Sequence, residues 1–227
     1  MPVRLSAVVT TLDNAATLDA CLASLRFCDE IVLLDSGSTD TTLDIATRHG
    51  ARSAMQPFAG YGPQKQAAID LAVGEWILLL DADESLTDDG RATLLRELDA
   101  PRADGYRLPR REWLFWRWPH PATRPNWQLR LFRKARGRMN AVPVHAAPVV
   151  EGRVIDLDAP FRHYGEPRLA DRVEKVNRYS SGLVEHKRER RVRFIGLRLL
   201  LYPPLVFLKL YLGKRYVLNG WAGYFAA

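Results

Sequence analysis

The first hundred residues alternate between short apolar runs and stretches with helical spacing. Residues 5–10 form a β-type run, after which Leu18, Cys21, Leu22 and Leu25 fall on one helical face. The run EIVLLD at 30–35 reads as a buried strand. It is followed by a helix over 39–49 with Leu43, Ile45 and Ala46 as apolar contacts, a short strand near 51–55 and a helix over 63–73. A second buried run, WILLL, occupies 76–80 and ends on Asp81. Repeated strand–helix units predict an α/β fold with a mostly parallel sheet flanked by helices. Ligands of such sheets bind beyond the carboxyl ends of the strands, where Asp35, Asp81 and Asp83 fall.

After a helix for which Thr87 is the expected N-cap, and a break at Ala100-Pro101, the pattern changes. Short β-type segments at 105–108, 128–132, 142–150 and 154–157 are separated by loops rich in Pro, Trp and Arg. A helix-compatible stretch over 169–189 leads into the basic run KRERRVR at 187–193. Residues 194–212 then carry only Arg198 and Lys209 as charges, with Pro203-Pro204 inside. Crossing a bilayer takes roughly 20 apolar residues, and a double proline is expected to break the helix near its middle. The expectation is therefore an amphipathic, apolar helical tail that lies on a membrane surface or re-enters it, with Tyr202, Tyr211, Tyr216, Trp221 and Tyr224 at headgroup depth. The alternative is a pair of amphipathic helices packed on the domain or joining two copies as a homodimer. The expected division is a domain over 1–165 and a tail over 166–227.

Composition narrows the class. With 227 residues, 47% apolar and 26% charged, the chain can bury a sizeable core, which excludes wholesale disorder. Cys21 and Cys28, without histidines at ligand spacing, give no support to a disulfide framework or a zinc site. No basic-then-apolar leader opens the sequence, so a cytoplasmic address is the expectation. The net charge of +7 is unevenly spread: residues 1–100 hold seven basic against sixteen acidic side chains, whereas residues 162–227 hold fourteen against five. An acidic front suits a cation-bridged anion, and a basic rear suits an anionic surface. No nucleic-acid partner is expected, because the basic residues run into an apolar tail rather than a recognisable nucleic-acid module.

Three segments carry candidate chemistry. The sequence DADE at 81–84 follows a buried strand, and its clustered carboxylates suit a hard divalent cation shared with substrate phosphates, although carboxylates at strand ends also serve as turn formers. DSGSTD at 35–40 places a glycine where the chain turns and an acid able to accept from a base or ribose hydroxyl; an ordinary strand–helix turn has the same composition. RREWLFWRWPH at 110–120 combines indoles that stack on sugars with arginines that pair with phosphates, as an acceptor loop would, or it covers the sheet.

SAVVTT (6–11), DSGSTD (35–40), GPQKQ (62–66) and WILLLDADE (76–84) together resemble family 2 glycosyltransferases. WQLRLFR (127–133), Val144-His145, His163-Tyr164 and the tail spacing Pro204, Phe207, Tyr211, Gly220, Gly223 resemble the lipopolysaccharide core branch. The resemblance covers nearly the whole chain. It implies a GT-A type nucleotide-sugar-binding fold, a nucleotide-diphosphate sugar donor (UDP-linked), a divalent metal (Mg or Mn) and inversion at the anomeric carbon. It also implies a lipopolysaccharide core or lipid-linked saccharide acceptor at the cytoplasmic face of the inner membrane, with the enzyme peripheral or monotopic. Carried over by position, Thr11 and Asp35 hold base and ribose, Lys65 lies near the nucleotide, Asp81 faces ribose or diphosphate, Asp83 binds the metal with His163 as a further ligand, and Arg130 stabilises the leaving diphosphate. The branch commonly has Pro-Asp and His-Glu where this chain has Pro125-Asn126 and His145-Ala146. Three readings stay open for the catalytic base: another carboxylate (Glu112, Glu84 or Asp158), His145, or a catalytically weak donor-binding scaffold.

Overall fold

The apolar runs become the centre of a nine-stranded sheet. β1 (Leu5–Thr11), β2 (Glu30–Asp35), β3 (Arg52–Met55) and β4 (Trp76–Asp81) pair in parallel in the order β3-β2-β1-β4. They alternate with α1 (Ala15–Ser24), α2 (Thr42–Arg48) and α3 (Tyr61–Leu71). Side chains of a strand point alternately to its two faces, and both faces are covered here. Ala7, Val9, Leu33, Leu78 and Leu80 cluster with Leu18 and Leu22 of α1, whereas Val8, Val32, Leu34, Ile77 and Leu79 cluster with Ala68 and Ile69 of α3. That two-sided burial explains why EIVLLD and WILLL are continuous apolar runs.

The computed structural model describes residues 4–141, 146–165, 173–174, 177 and 195–227, which form two units. The first comprises Met1–Arg110 and Asn126–His163. Beyond β4 its sheet continues through β5 (Glu84–Leu86), β6 (Gly105–Glu112), β7 (Asn126–Arg133), β10 (Val154–Asp156) and β11 (Phe161–His163). β7 is antiparallel to both β4 and β6, and β11 is antiparallel to β5. β8 (Gly137–Met139) and β9 (Pro148–Val150) make a separate two-stranded sheet. α4 (Asp88–Asp99) starts as expected, with Thr87 Oγ1 accepting from the Gly90 N–H at 3.0 Å.

Several boundaries differ from the expectation. α2 begins at Thr42 instead of 39, because the Thr39 N–H is bound by Asp13 and the Thr42 N–H by the Asp40 side chain. The strands expected at 105–108 and 128–132 are longer because they pair with each other along most of their length. Of the strand expected at 142–150, only Pro148–Val150 is assigned, and 142–145 lie outside the described residues.

The second unit joins Arg111–Pro125 to Tyr164–Ala227, so the tryptophan-rich segment belongs with the tail. Most of the helix expected over 169–189, and the basic run at 187–193, lie outside the described residues; residues 173, 174 and 177 are helical. α5 (Ile195–Leu208) runs through Pro203-Pro204 without ending, contrary to the expected break. Each proline removes one helical hydrogen bond, but its φ near −65° stays within the helical range. A π-turn at Lys209–Gly213, a 3-10 turn at Tyr216–Asn219 and α6 (Gly220–Ala226) follow. Ala222 and Ala226 of α6 are buried with Leu114 and Phe115. Asn219 is 1% exposed; it accepts from the His120 N–H at 2.6 Å and donates to Thr123 Oγ1 at 3.0 Å.

Candidate active site

The register of the central strands gathers the predicted acids. Thr11 stands opposite Asp35, and Thr10 opposite Asp81, so the ends of β1, β2 and β4 form one rim. Asp35 is fully buried. Its Oδ2 accepts from the N–H groups of Gly37 and Ser38 at 2.9 and 2.8 Å, and its Oδ1 accepts from Ser38 Oγ at 2.5 Å. Gly37 has φ of 105°, a conformation that favours glycine, and this lets the loop wrap the carboxylate. Thr11, also buried, donates from Oγ1 to Asn14 Oδ1 at 3.0 Å.

Asp81 is bracketed by cations. Lys65 of α3 pairs with Oδ1, and Arg130 of β7 donates from Nη2 to Oδ2 at 3.0 Å. α3 packs on the sheet face to which the alternation of Ile77 and Leu79 assigns Asp81, which is why Lys65 meets it. Burial works against the Asp81 charge, but Lys65 and Arg130 overcome it and hold this carboxyl far below the ordinary carboxylate range.

Arg130 is itself buried, and the same Nη2 donates to Glu84 Oε1 at 2.6 Å. Glu84 is wholly buried, accepts from the Asp81 N–H through Oε2 at 3.0 Å, and has Arg110 Nη1 at 3.5 Å. Burial raises its affinity for a proton, and Arg130 opposes that. A carboxylate enclosed in this way cannot take a proton from an incoming hydroxyl, which removes Glu84 from the candidate bases. Its structural role was invisible in the sequence, because the partners lie on β6 and β7. The Nε of Arg130 is buried without an acceptor among the described residues, and the guanidinium lies 5.5 Å from the Phe161 ring.

Asp83 faces a different partner. β5 and β11 pair so that Glu84 stands opposite His163, which brings His163 Nε2 to 3.2 Å from Asp83 Oδ2. Neighbouring ligands on an octahedral cation with bonds of about 2.1 Å are separated by about 3 Å, so this pair fits two adjacent positions on one ion. Among the described residues no group of three or more His, Cys, Asp or Glu side chains could hold a metal. Asp83 and His163 alone are therefore an incomplete donor set, and a cation held by them would need its other positions filled by phosphate or water.

Of the remaining candidates, Glu112 closes β6, is half-buried and belongs to the second unit, Asp158 is exposed in the loop between β10 and β11, and His145 lies outside the described residues. Cys21 and Cys28 are free, and Cys21 is buried with Sγ 3.6 Å from the Asp81 carbonyl oxygen.

A largely parallel sheet with acids at the ends of its central strands, extended by antiparallel strands that carry a basic residue back to them, is a fold of GT-A type. The chain belongs to glycosyl transferase family 2, whose profile matches residues 6–148. It is 33% identical over 217 residues to the lipopolysaccharide core biosynthesis glycosyltransferase LpsC of Rhizobium meliloti, covering 91% of this chain and 80% of that one. An uncharacterized glycosyltransferase of Rickettsia typhi, RT0209, is 25% identical over 236 residues, covering 97% and 80%. Among solved structures, S. aureus TarS 1-349 aligns with a TM-score of 0.48 at 19% identity, over 58% of this chain and 47% of that chain.

Proposed function

We propose that this glycosyltransferase is a metal-dependent inverting enzyme that moves a sugar from a UDP-linked donor to a lipopolysaccharide core or lipid-linked saccharide acceptor at the cytoplasmic face of the inner membrane. The observation that carries this reading is the pairing of Asp83 with His163 at the rim that already holds Asp35 and Asp81. The name of the R. meliloti relative supports the acceptor class.

In this reading the loop shaped by Asp35, together with Thr11, receives base and ribose. Asp83 and His163 hold a magnesium or manganese ion, which when bound supplies Lewis-acid neutralisation of the donor diphosphate. Lys65 and the unsatisfied Nε of Arg130 supply fixed positive charge as the diphosphate leaves, without reorganisation at the moment of reaction. Inversion forms one bond from the acceptor oxygen to the anomeric carbon as the bond to diphosphate breaks, and the hydroxyl proton passes to a base. Glu112, Asp158 and His145 are the candidates for that base.

The test is a panel of UDP-, GDP- and ADP-sugars with and without manganese, followed by calorimetry and by release of nucleotide. Metal-dependent binding and turnover that vanish in Asp83→Ala support transfer and exclude the scaffold alternative. No nucleotide sugar bound under any condition, with Asp83→Ala indistinguishable from wild type, would sink the proposal.

A further inference from the structure

The C-terminal unit carries an exposed apolar surface. Leu197, Leu201, Leu205 and Leu208 follow one another along α5 at intervals of four, four and three, which places them on one side of the helix. They are 57, 47, 60 and 49% exposed. Arg198, Tyr202 and Lys209, each one position further along the chain or at helical spacing from it, border that stripe. On another side Val206, Phe207 and Leu210 are half-buried.

The chain then turns back. Phe207 and Tyr211 meet Tyr224 of α6 at ring separations of 5.5 and 6.2 Å. The turn is fastened to the tryptophan-rich segment, with the Arg124 N–H bound to the Lys214 carbonyl at 3.1 Å and Asn219 bound to His120 and Thr123. Gly196–Gly213 has the length and hydropathy of a bilayer-crossing helix, with 18 residues and a mean hydropathy of 1.2, and none of it is buried. The turn after its far end is nevertheless tied to Arg111–Pro125 of the same unit through Arg124, His120 and Thr123. A helix fastened there, with an apolar stripe on one side and cations beside it, matches an in-plane arrangement.

Residues 195–227 contain four basic side chains, Arg198, Lys209, Lys214 and Arg215, and no acidic one. We infer that α5 lies in the plane of a bilayer of anionic phospholipid, with its leucine stripe at the acyl boundary and these four cations among the phosphates. The inference rests on the membrane-surface part of the reading above and names the surface, the orientation and the lipid charge. A second copy of the chain is a poor occupant of the same face, because it would bring the Arg198 and Lys209 of both copies together, and residues 195–227 supply no carboxylate to pair with them. Each basic side chain near an anionic surface contributes on the order of 1 kcal/mol, and the contribution is screened by salt.

The experiment is sedimentation of the full chain with vesicles of phosphatidylcholine alone and of phosphatidylcholine with about a third phosphatidylglycerol, alongside sedimentation velocity without lipid. Binding about tenfold or more tighter to the anionic vesicles is expected, weakening in high salt. A loss of about tenfold or more is expected in Leu201→Asp/Leu205→Asp and, separately, in Arg198→Glu/Lys209→Glu. These exposed positions let both variants fold, which circular dichroism checks. Equal binding to both vesicles, binding indifferent to both variants, or a lipid-free dimer that Leu201→Asp/Leu205→Asp dissolves while vesicles are ignored would each overturn the inference. Vesicle binding with the expected dependences supports it even if no donor is hydrolysed, in which case the transfer reading is the one that fails.

Discussion

Replacing Glu84 by glutamine tests whether the acidic rim is organised by a buried ion pair. The substitution preserves shape but not pattern. Both carboxylate oxygens are now acceptors, Oε2 for the Asp81 N–H at 3.0 Å and Oε1 for Arg130 Nη2 at 2.6 Å. A carboxamide has one accepting end and one donating end. If its oxygen stays on Asp81, its NH2 meets the guanidinium; if it flips, the NH2 meets the Asp81 N–H. Either orientation sets donor against donor. The lost hydrogen bond to a charged group is worth about 1.5–3 kcal/mol. Removing one partner of a buried pair outright costs about 3–5 kcal/mol, and Arg130 keeps Asp81 as a second carboxylate. The expected loss is therefore about 3 kcal/mol, or a fall in Tm of roughly 6–12 °C for a chain of this size.

Urea unfolding of wild type, Glu84→Gln, Arg130→Met and the double variant measures it, provided the m-values agree. The double variant is expected to lose less than the sum of the two single changes by about 1 kcal/mol or more, because each single change leaves the other group stranded. A Glu84→Gln loss below about 0.5 kcal/mol, or additivity within about 0.5 kcal/mol, would refute the reasoning.

His163→Ala removes one of the two proposed metal ligands and is expected to weaken manganese-dependent donor binding about tenfold or more in calorimetry. Asp35→Asn can still accept from the Gly37 and Ser38 N–H groups but turns an NH2 towards Ser38 Oγ; about 1 kcal/mol of stability and about tenfold in nucleotide affinity should be lost, read by urea unfolding and titration with UDP. The hydrogen bond from Arg102 holds Glu97 below its ordinary value of 4.5, with Tyr106 also donating to it. That stability is present above about pH 4.5 and is lost as the pH falls through the lower folded-state value, so Glu97→Gln should flatten this acid limb of urea midpoint against pH. A Cβ on Gly223 would lie 1.8 Å from the Tyr216 carbonyl oxygen, so Gly223→Ala should loosen α6 and speed hydrogen exchange in the tail while leaving exchange in β1, β2 and β4 unchanged.

What was legible in the sequence follows from range. EIVLLD and WILLL declared themselves because a strand buried on both faces must be apolar throughout, and DSGSTD and DADE because the chain turns where such strands end. Thr87 was readable as a cap because capping is local. β5, β8 and β11 were missed: three-residue strands lie below the length at which alternation is detectable, and β11 is fixed by its place between β6 and β5 in the sheet. The juxtaposition of His163 with Asp83 was reached through resemblance, since no periodicity links positions eighty residues apart. The attachment of Arg111–Pro125 to the tail had no local signal either, because Asn219 gives no hint in sequence that His120 and Thr123 are its partners.

Charge counted along the chain overstates how much of the acidic front is available to a ligand. Asp81 is neutralised by Lys65 and Arg130, Glu84 by Arg130 with Arg110 near, and Asp35 is consumed by its own loop. Two of those cations come from the basic middle of the sequence, so part of the segmental asymmetry cancels inside the sheet. Asp83 differs, because its partner is a histidine, a side chain whose neutral form offers a lone pair to a metal. On the proposed reading a cation attracted to this rim would meet Asp83 first, because Lys65 and Arg130 already neutralise Asp81. The two aspartates of DADE thus differ in surroundings, since Asp81 lies between two cations whereas Asp83 pairs with a histidine.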